Sequence, residues 1–209
     1  LVKLFGFIQL KEMELQVVES VSVIPVGKTI GIYVETDGVM VLGTGEVTGK
    51  DGMSYEPAEN VIYSGDYIMS VNGTQIETIG ELSNQIQNGN EEVVKLGIRR
   101  KGEEQEVVIS PVEALDGSYK LGIWARQDTQ GIGTITFVDE NGKFGALGHG
   151  ITDSDTGILM EISEGSIYEA KILDIVKGEA GKPGEMVGMI QVSEATRLGE
   201  IQSNQEQGI

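Results

Sequence analysis

Thirty glycines cut this 209-residue chain into short runs of valine, isoleucine and leucine, and that punctuation limits the fold more than any other feature. β-Branched residues suit a pleated surface, and glycine supplies the sharp turns that end each run. Leu15, Val17 and Val18 form one run, followed by Val21, Val23 and Ile24, by Ile30, Ile32 and Val34, and by Val39, Val41 and Leu42. Gly27, Gly31, Gly38, Gly43 and Gly45 punctuate them. The pattern predicts a mainly β protein of short strands and tight turns, long enough to bury a core in one or two domains.

Between residues 61 and 112 the signals are specific. Tyr67 to Val71 reads as a strand, and Asn72-Gly73 is the residue pair preferred in two-residue hairpin turns. Thr78 and Glu81 have capping-box spacing, Ile79, Leu82 and Ile86 share a helical face, and Gly89 supplies a stop. One helix is therefore expected from Thr78 to Gly89. Val94, Leu96 and Ile98 alternate with Val93, Lys95 and Arg99, Lys101-Gly102 turns the chain into Val107-Val108-Ile109, and Pro111 closes the unit. Beyond Gly117-Ser118 only strands are expected, over 121–125, 132–138, 143–147, 158–162, 167–176 and 186–192. Asp139-Glu140-Asn141-Gly142 is a turn, and 178–184 a loop. The tail from Ser203 to Ile209 is polar, so the second unit reads as cut short.

Composition removes several function classes. The formal charge of 15 − 33 = −18 repels phosphate backbones and anionic lipid, which argues against a nucleic-acid partner. With no cysteine and one histidine, neither a disulfide framework, a cysteine nucleophile nor a usual zinc ligand set can form. No phosphate-cradling glycine loop appears, and no cofactor is expected. Trp124 and the phenylalanines are expected in the core. The apolar start, Leu1 to Ile8, is too short to span a bilayer.

The lone histidine, His149, sits in Gly145-Ala146-Leu147-Gly148-His149-Gly150-Ile151-Thr152-Asp153. Two readings stand side by side: a histidine satisfied by one backbone carbonyl, or a general base whose ring a nearby carboxylate such as Asp153 orients. Asp155-Thr156-Gly157 matches the aspartic-peptidase tripeptide, but it lacks the apolar strand that should precede it. Asp153, Asp155 and Glu164 have calcium-loop spacing, but Ile158 occupies the position that needs glycine. A simple turn accounts for both.

Two resemblances add to these readings. Ser64-Gly65-Asp66-Tyr67-Ile68-Met69-Ser70-Val71-Asn72-Gly73 resembles the Gly-Asp-x-Ile-x-x-Val-Asn-Gly core of bacterial PDZ domains, and Glu56-Pro57-Ala58-Glu59 resembles the stretch before it. The likeness implies a PDZ domain over 21–112, a small β-sandwich with one or two helices. It also implies that Ile30-Gly31-Ile32 forms the carboxylate-binding loop and open edge strand for peptide C-termini. A unit that only packs on its neighbour is the alternative.

Gly131-Ile132-Gly133-Thr134-Ile135-Thr136-Phe137, the stretch from Lys143 to Gly157, Ile175-Val176-Lys177-Gly178, and Gly181-Lys182-Pro183-Gly184-Glu185-Met186-Val187-Gly188 resemble the stage IV sporulation protein B peptidases, class S55. Leu4-Phe5-Gly6-Phe7-Ile8 and Val23-Ile24-Pro25 with Gly27 extend the likeness. The resemblance implies a membrane-anchored serine endopeptidase with a PDZ domain ahead of a trypsin-like β-barrel. Residues 1–20 would follow a missing anchor, through which alone the chain would meet a membrane, and 113–209 would be an incomplete peptidase domain. His149 would be the triad base. Substrates would be membrane-associated regulatory proteins and the protein itself, in the space between forespore and mother-cell membranes. The family's Gly-Met-Ser-Gly-Ser-like segment and its aspartate are absent, and no serine here has glycine on both sides: Ser166 follows Gly165 but precedes Ile167. The expectation is that these 209 residues do not hydrolyse peptides by themselves, with a non-catalytic binding module as the rival reading. An incomplete barrel should also self-associate through 121–192.

Overall fold

The computed structural model describes residues 2–5, 7–11, 20–89 and 92–209. The run Leu15, Val17 and Val18, and Gly6 of the leading apolar stretch, lie outside the described residues. The chain is mainly β. Apart from a hairpin of Val2–Leu4 with Ile8–Lys11 and several two-residue pairs, the elements are β1 (Val23–Pro25), β2 (Thr29–Thr44), β3 (Tyr67–Val71), α1 (Ile79–Asn88), β4 (Val94–Arg100), β5 (Glu103–Ile109), β6 (Ile123–Asp139), β7 (Phe144–Ala146), β8 (Ile162–Val176), β9 (Glu185–Ile190) and β10 (Arg197–Glu200).

Local signals are realised where expected. Thr78 Oγ1 accepts from the Glu81 N–H at 3.1 Å, and Glu81 returns a carboxylate oxygen to the Thr78 N–H at 3.1 Å. That reciprocal cap starts α1, and Leu82 and Ile86 carry its buried face. Asn72 and Gly73 both take positive φ, 49° and 80°, as do Lys101 and Gly102, 53° and 80°. Paired positive values give the twist that suits a two-residue hairpin. Asp66 of the Gly-Asp motif is buried; its carboxylate takes two bonds from Arg100, at 2.7 and 2.6 Å, and one from the Tyr63 N–H at 2.9 Å.

Two long strands set the architecture. The main antiparallel sheet runs β5-β4-β3-β2-β6-β7, with β8 also pairing β2, β9 and β10, and β1 pairing β6. β2 and β6 pair from Thr44 with Ile123 to Thr29 with Thr134, interrupted by a register shift between Arg126 and Asp128. On its other edge β2 changes partner: Val39 and Met40 face Ile68 and Tyr67 of β3, whereas Ile30 to Thr36 face Glu169 to Ile162 of β8. Gly38, at φ +87°, stands at the change, where a Cβ would lie 2.6 Å from Met69 Sδ.

The spatial division therefore differs from the expected boundary at 112/113. Ile30, Ile32 and Val34 belong to the second core, with Ile135, Ala146, Ile167 and Ile201. Leu121, Ile123 and Ala125 pack in the first, around Val39, Ile68, Leu82, Ile86 and Leu96. Each long strand runs from one core into the other, and the two stay paired on both sides of the register shift. The expected strands 121–125 and 132–138 merge into β6, and of 158–162 only Ile162 enters a strand. The sheets stay open, and the described residues close no barrel.

A seam ties the cores together. Met40, Tyr67 and Met160 are buried there, and the Tyr67 hydroxyl accepts from the Glu161 N–H at 2.9 Å. Arg99 bridges Asp37 at 2.9 Å and Glu161 at 2.7 Å.

Candidate functional site

The loop after β7 presents His149. Leu147 takes a positive φ of 65°, its N–H donates to Thr134 O at 3.0 Å, and its carbonyl accepts from Thr136 Oγ1 at 3.0 Å. At Gly150 a side chain has no room: a Cβ would lie 2.3 Å from Leu159 Cδ1 and 2.5 Å from Gln205 O. Chain 204–209 straps the loop from below. Ala146 and Ile209 exchange N–H···O bonds of 2.9 and 3.2 Å, and the Gly150 N–H donates to Glu206 O at 3.1 Å. Asn204 accepts from the Ile151 N–H at 2.7 Å and donates to Ile151 O and Met160 O at 2.8 and 2.9 Å.

His149 itself is exposed, with Nδ1 2.9 Å from the Gly150 carbonyl oxygen. A carbonyl oxygen only accepts, so Nδ1 is the donor in this contact, which in the neutral ring leaves Nε2 as the acceptor. This contact is that of the first reading, a histidine satisfied by one backbone carbonyl.

Asp153 does not orient the ring. Its carboxylate is buried and accepts from Arg126 Nη1, from the Thr156 N–H at 2.8 Å, from Thr156 Oγ1 at 3.0 Å and from the Asp155 N–H at 3.0 Å. Burial alone would raise its pKa, but the bonds from Thr156 and Asp155 and the Arg126 charge outweigh it and hold the carboxyl below the ordinary aspartate range. Arg126 also pairs with Asp155 at 2.6 Å. Asp153-Ser154-Asp155-Thr156-Gly157 is a closed turn, with the Gly157 N–H on Asp153 O at 2.8 Å. Asp153 thus anchors the chain that follows the histidine, and among the described residues no cluster of three metal-ligating side chains forms there.

The expected peptide-binding segment, Ile30-Gly31-Ile32, has no open edge. Gly31 pairs with Ile132 on one side and with Tyr168 on the other, and Ile30 and Ile32 are buried. A Cβ on Gly31 would lie 2.4 Å from Ile190 Cγ2. An added strand has nowhere to bond, which corrects the expectation.

Of the other two apolar-Gly-Ile tripeptides, Leu96-Gly97-Ile98 lies within β4, and Leu121-Gly122-Ile123 lies at the mouth of a groove. The groove runs between α1 and residues 119–127, and α1 is fastened beside that segment at both ends. At its C-terminal end Gln87 Nε2 donates to Tyr119 O at 2.7 Å while its Oε1 accepts from the Tyr119 N–H at 2.9 Å. At its N-terminal end the Ile79 N–H donates to Gln127 Oε1 at 2.7 Å. The cavity between them holds about 290 Å³ and is walled by Val47, Ile79, Leu82, Ile86, Leu121 and Ile123. Gly122 takes φ +65°, and its carbonyl accepts from the Gly45 N–H at 2.8 Å. Trp124 stands on the rim, 68% exposed rather than in the core.

Residues 117–209 match the family model of the SpoIVB peptidase, S55. That match covers less than half of the chain and is to residues 117–209 alone. The matched region holds the His149 loop, the Arg126–Asp153 anchor and the Asn204 clamp. No curated protein matches the chain. Among solved structures, the PDZ domain of an SdrC-like protein from Listeria innocua is 23% identical, covers 43% of this chain and 94% of its own, and has a TM-score of 0.36. The corresponding domain from Listeria monocytogenes is 23% identical, covers 44% and 90%, and has a TM-score of 0.34.

Three functional features escaped the sequence reading. Asn204 lies more than fifty residues from the loop it clamps, and no local pattern marks it. Arg126 sits in a strand where arginine reads as an ordinary solvent-facing residue. Leu121-Gly122-Ile123 did carry a signal, the same tripeptide pattern as 30–32, and only the pairing of the strands separates the two.

Proposed function

We propose that this chain captures the C-terminal tail of a protein in the groove between α1 and β6, and carries at His149 the general base of an S55-type serine endopeptidase. The observation that carries the first half is the helix fastened at both ends beside 119–127, with a glycine-containing turn at the mouth. Backbone N–H groups at such a turn suit a terminal carboxylate, and the helix-facing edge of β6 suits an added strand. For the second half, the support is the S55 match over 117–209 and a ring whose Nδ1 is committed to a carbonyl. Nε2 takes the proton of a serine hydroxyl and passes it to the leaving amine. No Gly-flanked serine in these 209 residues supplies that hydroxyl.

On this reading the substrates are membrane-associated regulatory proteins and the protein itself, acted on between forespore and mother-cell membranes. The distal ribbon of β8 and β9 exposes Leu173, Ile175, Met186 and Met189, which supports pairing with a second copy. A purely non-catalytic peptide-binding role is the second reading, supported by the groove between α1 and β6 alone.

The test uses the single tryptophan, Trp124, as a fluorescence reporter on the groove rim. Peptides with a free C-terminal carboxylate should shift its emission, and their C-terminal amides should not. Equal responses to acid and amide would remove the groove assignment. For the base, the His149→Ala change in a cleavage-competent S55 protein containing this chain should abolish cleavage while the fold survives. Unchanged cleavage would remove that role.

A further inference from the structure

One peptide group, that between Gly150 and Ile151, lies between His149 and Asn204. Its carbonyl oxygen accepts from His149 Nδ1 at 2.9 Å, and its N–H donates to Asn204 Oδ1 at 2.7 Å. None of the described peptides is cis, and a trans peptide points its C=O and N–H in opposite directions. An acceptor that holds the N–H therefore aims the carbonyl the other way, at the imidazole. Carboxamide, peptide and ring form a chain of hydrogen bonds in which each polarises the next. Asp153, the carboxylate nearest in sequence, is engaged with Arg126 and Thr156, so the Gly150 carbonyl is the group that meets Nδ1.

The position calls for both halves of a carboxamide. While Oδ1 accepts from the Ile151 N–H, Nδ2 donates to Ile151 O at 2.8 Å and to Met160 O at 2.9 Å. These partners fix which way the amide faces. Turned over, it would set an amino group against an N–H and an oxygen against two carbonyls. The preceding peptide is held as well, since the Gly150 N–H donates to Glu206 O at 3.1 Å. Gly150 is buried, and Gln205 O and Leu159 Cδ1 crowd the place of a Cβ. Both peptides that flank Gly150 are thus tied to residues 204–206, and its carbonyl stays aimed at the ring.

Resting on the reading of His149 as a general base, we infer that Asn204 is its positioning residue: through the 150–151 peptide it keeps the ring proton on Nδ1 and leaves Nε2 free to accept. Which imidazole nitrogen carries the proton is set by the hydrogen bond the other nitrogen makes. A base for a hydroxyl needs its proton on the nitrogen that faces away from that hydroxyl. When the Gly150 carbonyl swings aside, nothing holds the proton at Nδ1. The ring stays neutral, but a proton on Nε2 removes the lone pair that would accept from the hydroxyl.

The single histidine makes the test direct, because every imidazole nitrogen signal belongs to His149. Long-range proton–nitrogen NMR on the 209-residue chain at about pH 9, where an ordinary imidazole is neutral, reads how the proton divides between Nδ1 and Nε2. The parent should hold it mainly on Nδ1. A parent that holds it mainly on Nε2 overturns the inference without any variant. Asn204→Ala, its fold checked by circular dichroism, should lower the ratio of Nδ1–H to Nε2–H about threefold or more, the size of one lost hydrogen bond. Thr136→Val removes the bond from Thr136 Oγ1 to Leu147 O, on the other leg of the same loop, and should leave the ratio unchanged. An equal shift in both variants, or none in Asn204→Ala, overturns the role. In a cleavage-competent S55 protein containing this chain, Asn204→Ala should lower kcat about tenfold with KM nearly unchanged. A shifted ratio with unchanged kcat also overturns the positioning role. Cleavage that survives His149→Ala overturns the base reading alone, and the proton ratio still decides whether Asn204 sets the ring.

Discussion

Ile30-Gly31-Ile32 and Leu121-Gly122-Ile123 are nearly the same tripeptide with opposite fates. The first lies in the middle of a sheet, bonded to β6 on one edge and β8 on the other, with Ile30 wholly buried. The second begins β6, bonded to β2 through Thr44 and turned toward α1 across an apolar groove. Their glycines differ in kind as well. Gly31 is required because a neighbouring side chain, Ile190, fills the space of its Cβ; Gly122 is required by a left-handed backbone and by the Gly45 carbonyl, 2.3 Å from where its Cβ would be. A tripeptide that looks like a carboxylate-binding loop can serve as one only where the fold leaves an edge unpaired.

The largest effect should come from Gly31→Asp. It drives a charged side chain against Ile190, whose Cγ2 would lie 2.4 Å from the new Cβ, on the sheet face opposite Ile30 and Ile32. Overpacking and an unpaired buried charge together should cost about 4 kcal/mol or more. Urea denaturation should show loss of cooperative folding or a large fall in midpoint. A folded Gly31→Asp protein that has merely lost tail binding would reverse the comparison.

Next comes Arg126→Ala, which strips the buried Asp153 carboxylate of its cation and should cost about 3 kcal/mol. The same anchor gives a pH signature. The folded pKa of Asp153 is depressed below its unfolded value of about 3.9, so its contribution is complete above about pH 4 and is lost as pH falls through the folded value. Below pH 4 hydrogen exchange in 149–157 should therefore speed up in the parent, and Arg126→Ala should already exchange quickly at pH 7. Indistinguishable exchange in parent and variant would show that Arg126 does not hold the His149 loop.

Gly122→Ala should cost about 1–3 kcal/mol, from the left-handed backbone of a half-buried residue and the close approach of the Gly45 carbonyl. Its signature is the reverse of that at Gly31: a folded protein in which the response of Trp124 to free-acid tails is lost. Retained tail binding in that variant would move the carboxylate site away from Leu121-Gly122-Ile123.

What could be read in the sequence was what neighbouring residues decide. Thr78 and Glu81 are three apart, so the helix start was legible; Asn72-Gly73 and Lys101-Gly102 each fix their own turn. His149 stood out because nothing else in the chain is like it. The partners of β2 could not be read, since Ile32 pairs with Gly131 and Ile167, 99 and 135 residues further along the chain. The division into cores failed for the same reason: β2 and β6 each serve both. Trp124 failed differently. Indole is most often buried, and here it stays exposed on the rim of a groove.

The smallest expected change is the most discriminating. Gln127→Ala removes the carboxamide that accepts from the Ile79 N–H at 2.7 Å, at the exposed N-terminal end of α1. Water can replace that acceptor, so the stability cost should stay near 0.5–1 kcal/mol. Thr78→Ala, one residue before, should cost about 1 kcal/mol by removing the side-chain cap from the Glu81 N–H. The two differ in what they fasten: Thr78 closes the helix on itself, whereas Gln127 fastens the helix to the strand across the groove. Thermal midpoints should therefore fall more for Thr78→Ala, and tail affinity should fall more for Gln127→Ala. If both variants lose affinity only in proportion to stability, the groove width is set by the helix alone, and the difference between the two tripeptides reduces to edge pairing.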